Sequence, residues 1–121
     1  MIEVMTDVPA NVVGFRATGK VEKTDYDQTV VPELNKHVSK NGEINFLLVL
    51  KTDVGNYSLG AVAADLKEGV KHFTKWHRMA IVTDQKGLEK FSDLASFALP
   101  GESKGFELAE LEEAKKWVSE G

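Results

Sequence analysis

Ile44-Asn45-Phe46-Leu47-Leu48-Val49-Leu50 and, much later, Met79-Ala80-Ile81-Val82 decide the fold. Neither run alternates apolar with polar residues. A strand keeps such a run when both of its faces are covered, as they are inside a parallel sheet. Parallel neighbours need a crossover, and the chain between the two runs places Leu59, Val62, Leu66, Val70 and Phe73 at helical spacing. The two runs and the stripe between them predict a strand–helix–strand unit.

Upstream, residues 2–5 and 12–20 read as two strands. In the second, Val13, Phe15 and Ala17 alternate with Gly14, Arg16 and Thr18, the period of a half-buried strand. Asp7, Pro9 and Asn11 supply turn chemistry between them, which predicts an antiparallel pair. A helix follows, with Thr24 as cap, Tyr26, Val30, Leu34 and Val38 as its apolar stripe, and Asn41-Gly42 as its end. Pro32 lies inside that pattern and is expected to bend it. His37 reads as a cation near the helix C-terminus.

Downstream, Leu88, Phe91, Leu94 and Ala95 make a third stripe, stopped by Pro100-Gly101. Residues 104–108 read as a short edge strand. A last helix has Leu111, Ala114 and Val118 as inner positions, with glutamates early and lysines late, as the helix dipole favours. The predicted order is ββαβαβαβα: one α/β domain over residues 1–121, with a five-stranded, mixed but mostly parallel sheet and four helices.

Composition narrows the function. A chain of 121 residues with 42% hydrophobic and 28% charged residues can bury an ordinary core without metal or disulfide. Cysteine is absent, which removes thiol catalysis and thiolate zinc sites. The formal net charge of −4 disfavours nucleic acid as a partner. With no basic start, no long apolar run and no signal-peptide pattern, the chain is expected to be cytoplasmic.

No catalytic site or cofactor is predicted. Thr52-Asp53 and Thr83-Asp84 fall at the carboxyl ends of the parallel strands, where ligands of open α/β sheets bind. Capping and turn roles account for both pairs. His72 and His77 are five residues apart, a poor match to a helical metal pair, so no metal is expected. Ser39, Ser58, Ser92, Ser96 and Ser103 have no nucleophile-elbow context.

Several stretches carry a family likeness when taken in order. They are Ile2-Glu3-Val4, Asn11-Val12-Val13-Gly14-Phe15-Arg16-Ala17-Thr18-Gly19-Lys20, Asp25-Tyr26 with Val31-Pro32, Arg78-Met79-Ala80-Ile81-Val82-Thr83-Asp84, and Leu99-Pro100-Gly101-Glu102. Together they resemble the SpoIIAA-like proteins, which share the STAS-type fold. The resemblance implies two kinds of function. STAS-type antagonists bind a regulatory protein and are switched by phosphorylation of a serine after the third strand. The fold is also similar to CRAL-TRIO domains, which enclose lipids. An Asp-Ser pair is missing at the switch position, where residues 52–60 make a longer loop and Ser58 is the nearest substitute. A phosphate on Ser58 would meet a helix N-terminus, although a capping serine needs no phosphate.

The residues themselves favour a small apolar or lipid-like ligand. Gly60-Ala61-Val62-Ala63-Ala64 opens the second helix, which runs on to Phe73 and Trp76, and Ala95-Ser96-Phe97-Ala98-Leu99 closes the third. A pocket between them would be lined by Leu59, Val62, Leu66, Phe73, Trp76 and Phe97. Lys71, Lys75 and Arg78 would form a basic rim suited to anionic membrane, at the inner face. The alternative is a protein–protein regulator that reads its partner through residues 52–60, and a homodimer stays open.

Overall fold

The computed structural model describes residues 1–19, 23–51, 75–84 and 102–120. Five strands form one sheet in sequential order: β1 (Ile2–Met5), β2 (Val13–Thr18), β3 (Ile44–Lys51), β4 (Trp76–Thr83) and β5 (Glu102–Glu107). β1 is antiparallel to β2, and β2, β3, β4 and β5 run parallel. The mixed, mostly parallel sheet is the one expected. The central strand explains itself: seven consecutive residues of β3, from Ile44 to Leu50, are buried, so both faces of the sheet are covered there.

Helices are described in two places. Between β2 and β3 the chain forms a short α1 (Lys23–Asp25), a π-helical stretch (Tyr26–Val30) and α2 (Val31–Asn41). After β5 comes a 3₁₀ turn (Leu108–Glu110) leading into α3 (Leu111–Ser119). The other two expected helical stripes, at 59–73 and 88–95, lie outside the described residues.

Each helix owns one face of the sheet. Val30, Leu34 and Val38 pack with Phe15, Phe46, Leu48 and Ile81 on the first face. On the second, Ala114 and Val118 of α3 pack with Leu47, Val49, Ala80, Val82 and Phe106. The alternation of β2 and β3 makes this division, since odd and even positions point opposite ways. Gly14 points to the second face, where a Cβ would come 3.0 Å from Val8 Cγ1; glycine lets the β1–β2 turn close over the strand.

Three local expectations change. Pro32 lies inside a helical stretch that runs unbroken from Lys23 to Asn41, and the interruption takes the form of a wider π-helical turn, Tyr26–Val30, just before α2. Proline lacks the N–H that would continue an α-helical ladder, and the π-helical turn absorbs that loss. The other end is as read: Gly42 takes a φ of 79°, and its N–H bonds Val38 O at 2.8 Å.

The second correction concerns β4, which starts at Trp76, three residues before the apolar run read from the sequence. The third is the register. Ile44 faces Trp76 while Asn45 faces Arg78, so His77 is an extra residue in the ladder. Such a bulge shifts the parity of everything before it. Trp76 therefore joins Met79 and Ile81 on the first face, and Arg78 falls with Ala80 and Val82 on the face of α3.

Candidate functional site

The sequence placed Trp76 at the end of a helix and lining a ligand pocket. It is instead a strand residue, 3% exposed, with its ring 5.5 Å from that of Phe46 in the core. Leu59, Val62, Leu66, Phe73 and Phe97, the rest of that pocket, lie outside the described residues, as do Lys71 and Ser58. Of the basic rim, Lys75 is exposed.

Arg78 has another task. Its Nη1 donates to Trp117 O at 2.6 Å, its guanidinium lies 4.7 Å over the Trp117 ring, and Nε is 3.4 Å from Glu102 Oε2. The bulge at His77 turns the side chain to this face, where it meets a carbonyl of the last turn of α3 that also accepts from Glu120 N at 3.2 Å. A cation at a helix C-terminus is doubly favoured, by hydrogen bond and by dipole. With 17% of its side chain exposed, Arg78 locks a helix to the sheet and is not part of an open rim.

The neighbouring polar groups complete that lock. Asn45, 1% exposed, donates to Asn11 O at 3.0 Å, and its Oδ1 lies 2.8 Å from His77 Nδ1. Asn11 in turn donates to Ser119 O at 2.9 Å. Lys115 bridges Asp7 at 3.2 Å and Glu112 at 3.0 Å. The hydrogen bond from Lys115 is the main reason the Asp7 carboxyl sits below its ordinary pKa. These contacts hold the β1–β2 turn, the starts of β3 and β4, and the end of α3 together, and every one has a structural use.

A different place has features of a site. A cleft of about 210 Å³ opens between α2 and the β1–β2 hairpin. Val4, Met5, Val12 and Val13 form its apolar floor, and Lys36, His37, Lys40 and Asn41 its helical wall. These wall residues recur at the three- and four-residue spacings of one helix stripe. That stripe runs beside the buried Leu34 and Val38, so α2 seats its apolar side on β2 and β3 and leaves this side over the sheet edge. Val4 is consequently 42% exposed.

His37 is the chemical centre of the cleft. Only 9% of it is exposed, and burial pushes its pKa below the ordinary histidine value, with the Lys40 charge adding to the effect and that of Glu43 opposing it. The sequence reading of His37 as a helix-terminal cation is therefore corrected: the ring is held neutral. Its Nδ1 lies 3.2 Å from Asn41 Nδ2, and its Nε2 has no hydrogen-bond partner among the described residues. Sequence reasoning missed this site. The available signal was a histidine, an asparagine four residues later and two flanking lysines, all beside the apolar stripe instead of opposite it.

Among the described residues no group of three His, Asp or Glu could hold a metal ion, and no helix is long and apolar enough to cross a membrane. Comparison with curated proteins and with solved structures gives no match. The model of one family, SpoIIAA-like, matches residues 12–119. That match takes in four of the five strands, both described helical regions and most of the cleft. The chain belongs to the SpoIIAA-like family, which is of the STAS type.

Proposed function

We propose that this protein is a non-catalytic binding domain of the STAS regulatory type that takes a small, largely apolar ligand. The observation that carries the reading is the cleft beside α2, where an apolar floor meets a buried imidazole in one concavity. Ligand sites commonly have that character, an apolar surface with a few converging polar groups. The apolar stripes of residues 59–73 and 88–99 supply a second candidate place, between the second and third helices of the predicted order, where the sequence puts Leu59, Val62, Leu66, Phe73 and Phe97. Native mass spectrometry of gently purified protein, followed by solvent extraction, tests the reading. A reproducible bound mass that extracts as a small amphiphile or lipid supports it. A clean unliganded mass over several preparations, unchanged on incubation with fatty acids or isoprenoids, would sink it.

A second reading, suggested by family membership, is that the domain recognises a regulatory protein through residues 52–60 without the family's Asp-Ser switch, Ser58 being the nearest substitute. Affinity capture with the wild type and with a variant in which residues 52–60 are scrambled separates the two. A partner lost with that change supports the regulator. Contact with anionic membrane rests on Lys71 and Lys75 once Arg78 is committed to α3. Vesicle association that survives Lys71→Glu with Lys75→Glu removes that contact from the proposal.

A further inference from the structure

Asn41 is the last residue of α2, and Gly42 follows it as the cap. In an asparagine–glycine pair the glycine nitrogen reaches the side-chain amide with little hindrance, because glycine has no Cβ. Gly42 N attacks Asn41 Cγ, so that an N–Cγ bond forms and the Cγ–Nδ2 bond breaks. The Gly42 amide proton ends on the leaving NH₂ group, which departs as ammonia. Water then opens the resulting succinimide at one carbonyl or the other, giving aspartate or isoaspartate.

The fold ties up both reacting groups. Gly42 N–H is bonded to Val38 O at 2.8 Å. Asn41 Nδ2 donates to His37 O at 3.1 Å and lies 3.2 Å from His37 Nδ1. Attack needs Gly42 N free of its carbonyl and Asn41 Cγ turned toward it. Reaction therefore waits for the last turn of α2 to open, a local event with its own free energy.

The same contacts say what conversion does. A backbone carbonyl only accepts, so the atom that Asn41 presents to His37 O is its NH₂ group, and Nδ1 is the accepting nitrogen of the neutral ring. Aspartate would put a carboxylate oxygen in that place, against a carbonyl and a lone pair. A proton on Nδ1 turns the second repulsion into a charged hydrogen bond. The other charged groups around the ring are Glu33, Lys36 and Lys40 of α2 and Glu43 beyond it. The hairpin side of the cleft presents Val4, Met5, Ala10, Val12 and Val13, none of which titrates.

We propose that Asn41 is a deamidation site kept closed by the fold, and that the aspartate formed there holds a proton on His37. No ligand is needed for this change, which puts an ion pair into the wall of the cleft.

The test has two arms. In the first, the intact chain is aged at about pH 8, native or unfolded in guanidinium chloride, and the peptide holding Asn41 is followed by mass spectrometry for conversion of amide to acid. Conversion is expected at least ten-fold faster in the unfolded chain. Equal rates would overturn protection by the fold, and no conversion in guanidinium would overturn the site itself. In the second arm, Asn41→Asp supplies the product, while Asn41→Ala removes the donor and adds no charge. NMR titration of the His37 ring should place its midpoint about 1 pH unit or more above wild type in Asn41→Asp, with a smaller change in Asn41→Ala. Equal midpoints in all three proteins, or equal shifts in the two variants, would overturn the link to His37. If Asn41→Asp does not fold at neutral pH, acidification to about pH 5 decides. A raised histidine pKa stabilises the fold on the acid side, so a fold regained there supports the link and no recovery overturns it.

Discussion

At the scale of single residues, the two side chains whose roles changed most both gained them from their surroundings in the fold. His37 is neutral because α2 buries it, so protonation works against the fold. Its folded pKa lies below the ordinary 6.5, which is the unfolded value. The folded state therefore binds fewer protons between the two, and its stability rises with pH there. The contribution is full above about pH 6.5 and is lost as pH falls toward the folded value. Glu33, Lys36, Lys40 and Glu43 are the charged groups nearby. Melting temperatures between pH 5 and 8 should fall on the acid side for the wild type, and fall less for His37→Gln. Parallel curves for the two proteins would show that His37 is not the group concerned. Arg78 makes a further prediction. Arg78→Met removes a charged hydrogen bond and the stack on Trp117, each worth about 1–2 kcal/mol, and should lower unfolding free energy in urea by about 2 kcal/mol, given partial compensation. Arg78→Lys keeps the charge and loses the flat stack, so it should recover only part. Neither role can be read from a string of letters: His37 and Arg78 resemble exposed helix and rim cations until the bulge and the buried side of α2 are known.

At the scale of elements, the apolar runs and stripes were legible because burial leaves a period in the sequence. Val30, Leu34 and Val38 recur every four residues and all three are buried. Leu34, with no exposed surface, sits between α2 and the sheet, so Leu34→Ala should cost about 2–5 kcal/mol in urea denaturation. A loss under 1 kcal/mol would mean that α2 is not anchored by this stripe. Gly42→Ala tests the other end of α2. Nothing lies within 4 Å of a Cβ built there, so the whole cost is the left-handed φ of 79°, about 1 kcal/mol. What the period could not give was the break in β4. A bulge adds one residue without changing composition, and reading the strand from Met79 assigned Trp76 to the preceding helix. The π-helical turn before Pro32 was hidden in the same way, since proline signals an interruption but not how the chain absorbs it.

At the scale of the whole molecule, the sheet has an order that follows the chain, which leaves β1 at one edge and β5 at the other among the described residues. The pairing of β1 can be taken further. Met1 and Thr18 exchange both of their backbone bonds, each at 2.9 Å. Hydrogen-bonded and non-bonded pairs alternate in an antiparallel ladder. Glu3 and Met5 therefore turn their amides toward β2, whereas Ile2 and Val4 turn theirs outward. A sheet edge of this kind is where a second copy of the chain would add a strand, and Val4 is also the exposed floor of the cleft. Hydrogen exchange separates the states. In a monomer, the Ile2 and Val4 amides should exchange orders of magnitude faster than those of Phe46 through Val49 and Met79 through Val82, whose opening approaches global unfolding. Protection of Ile2 and Val4 that grows with protein concentration would instead mark a homodimer built through β1. Such a dimer would place two clefts beside one seam.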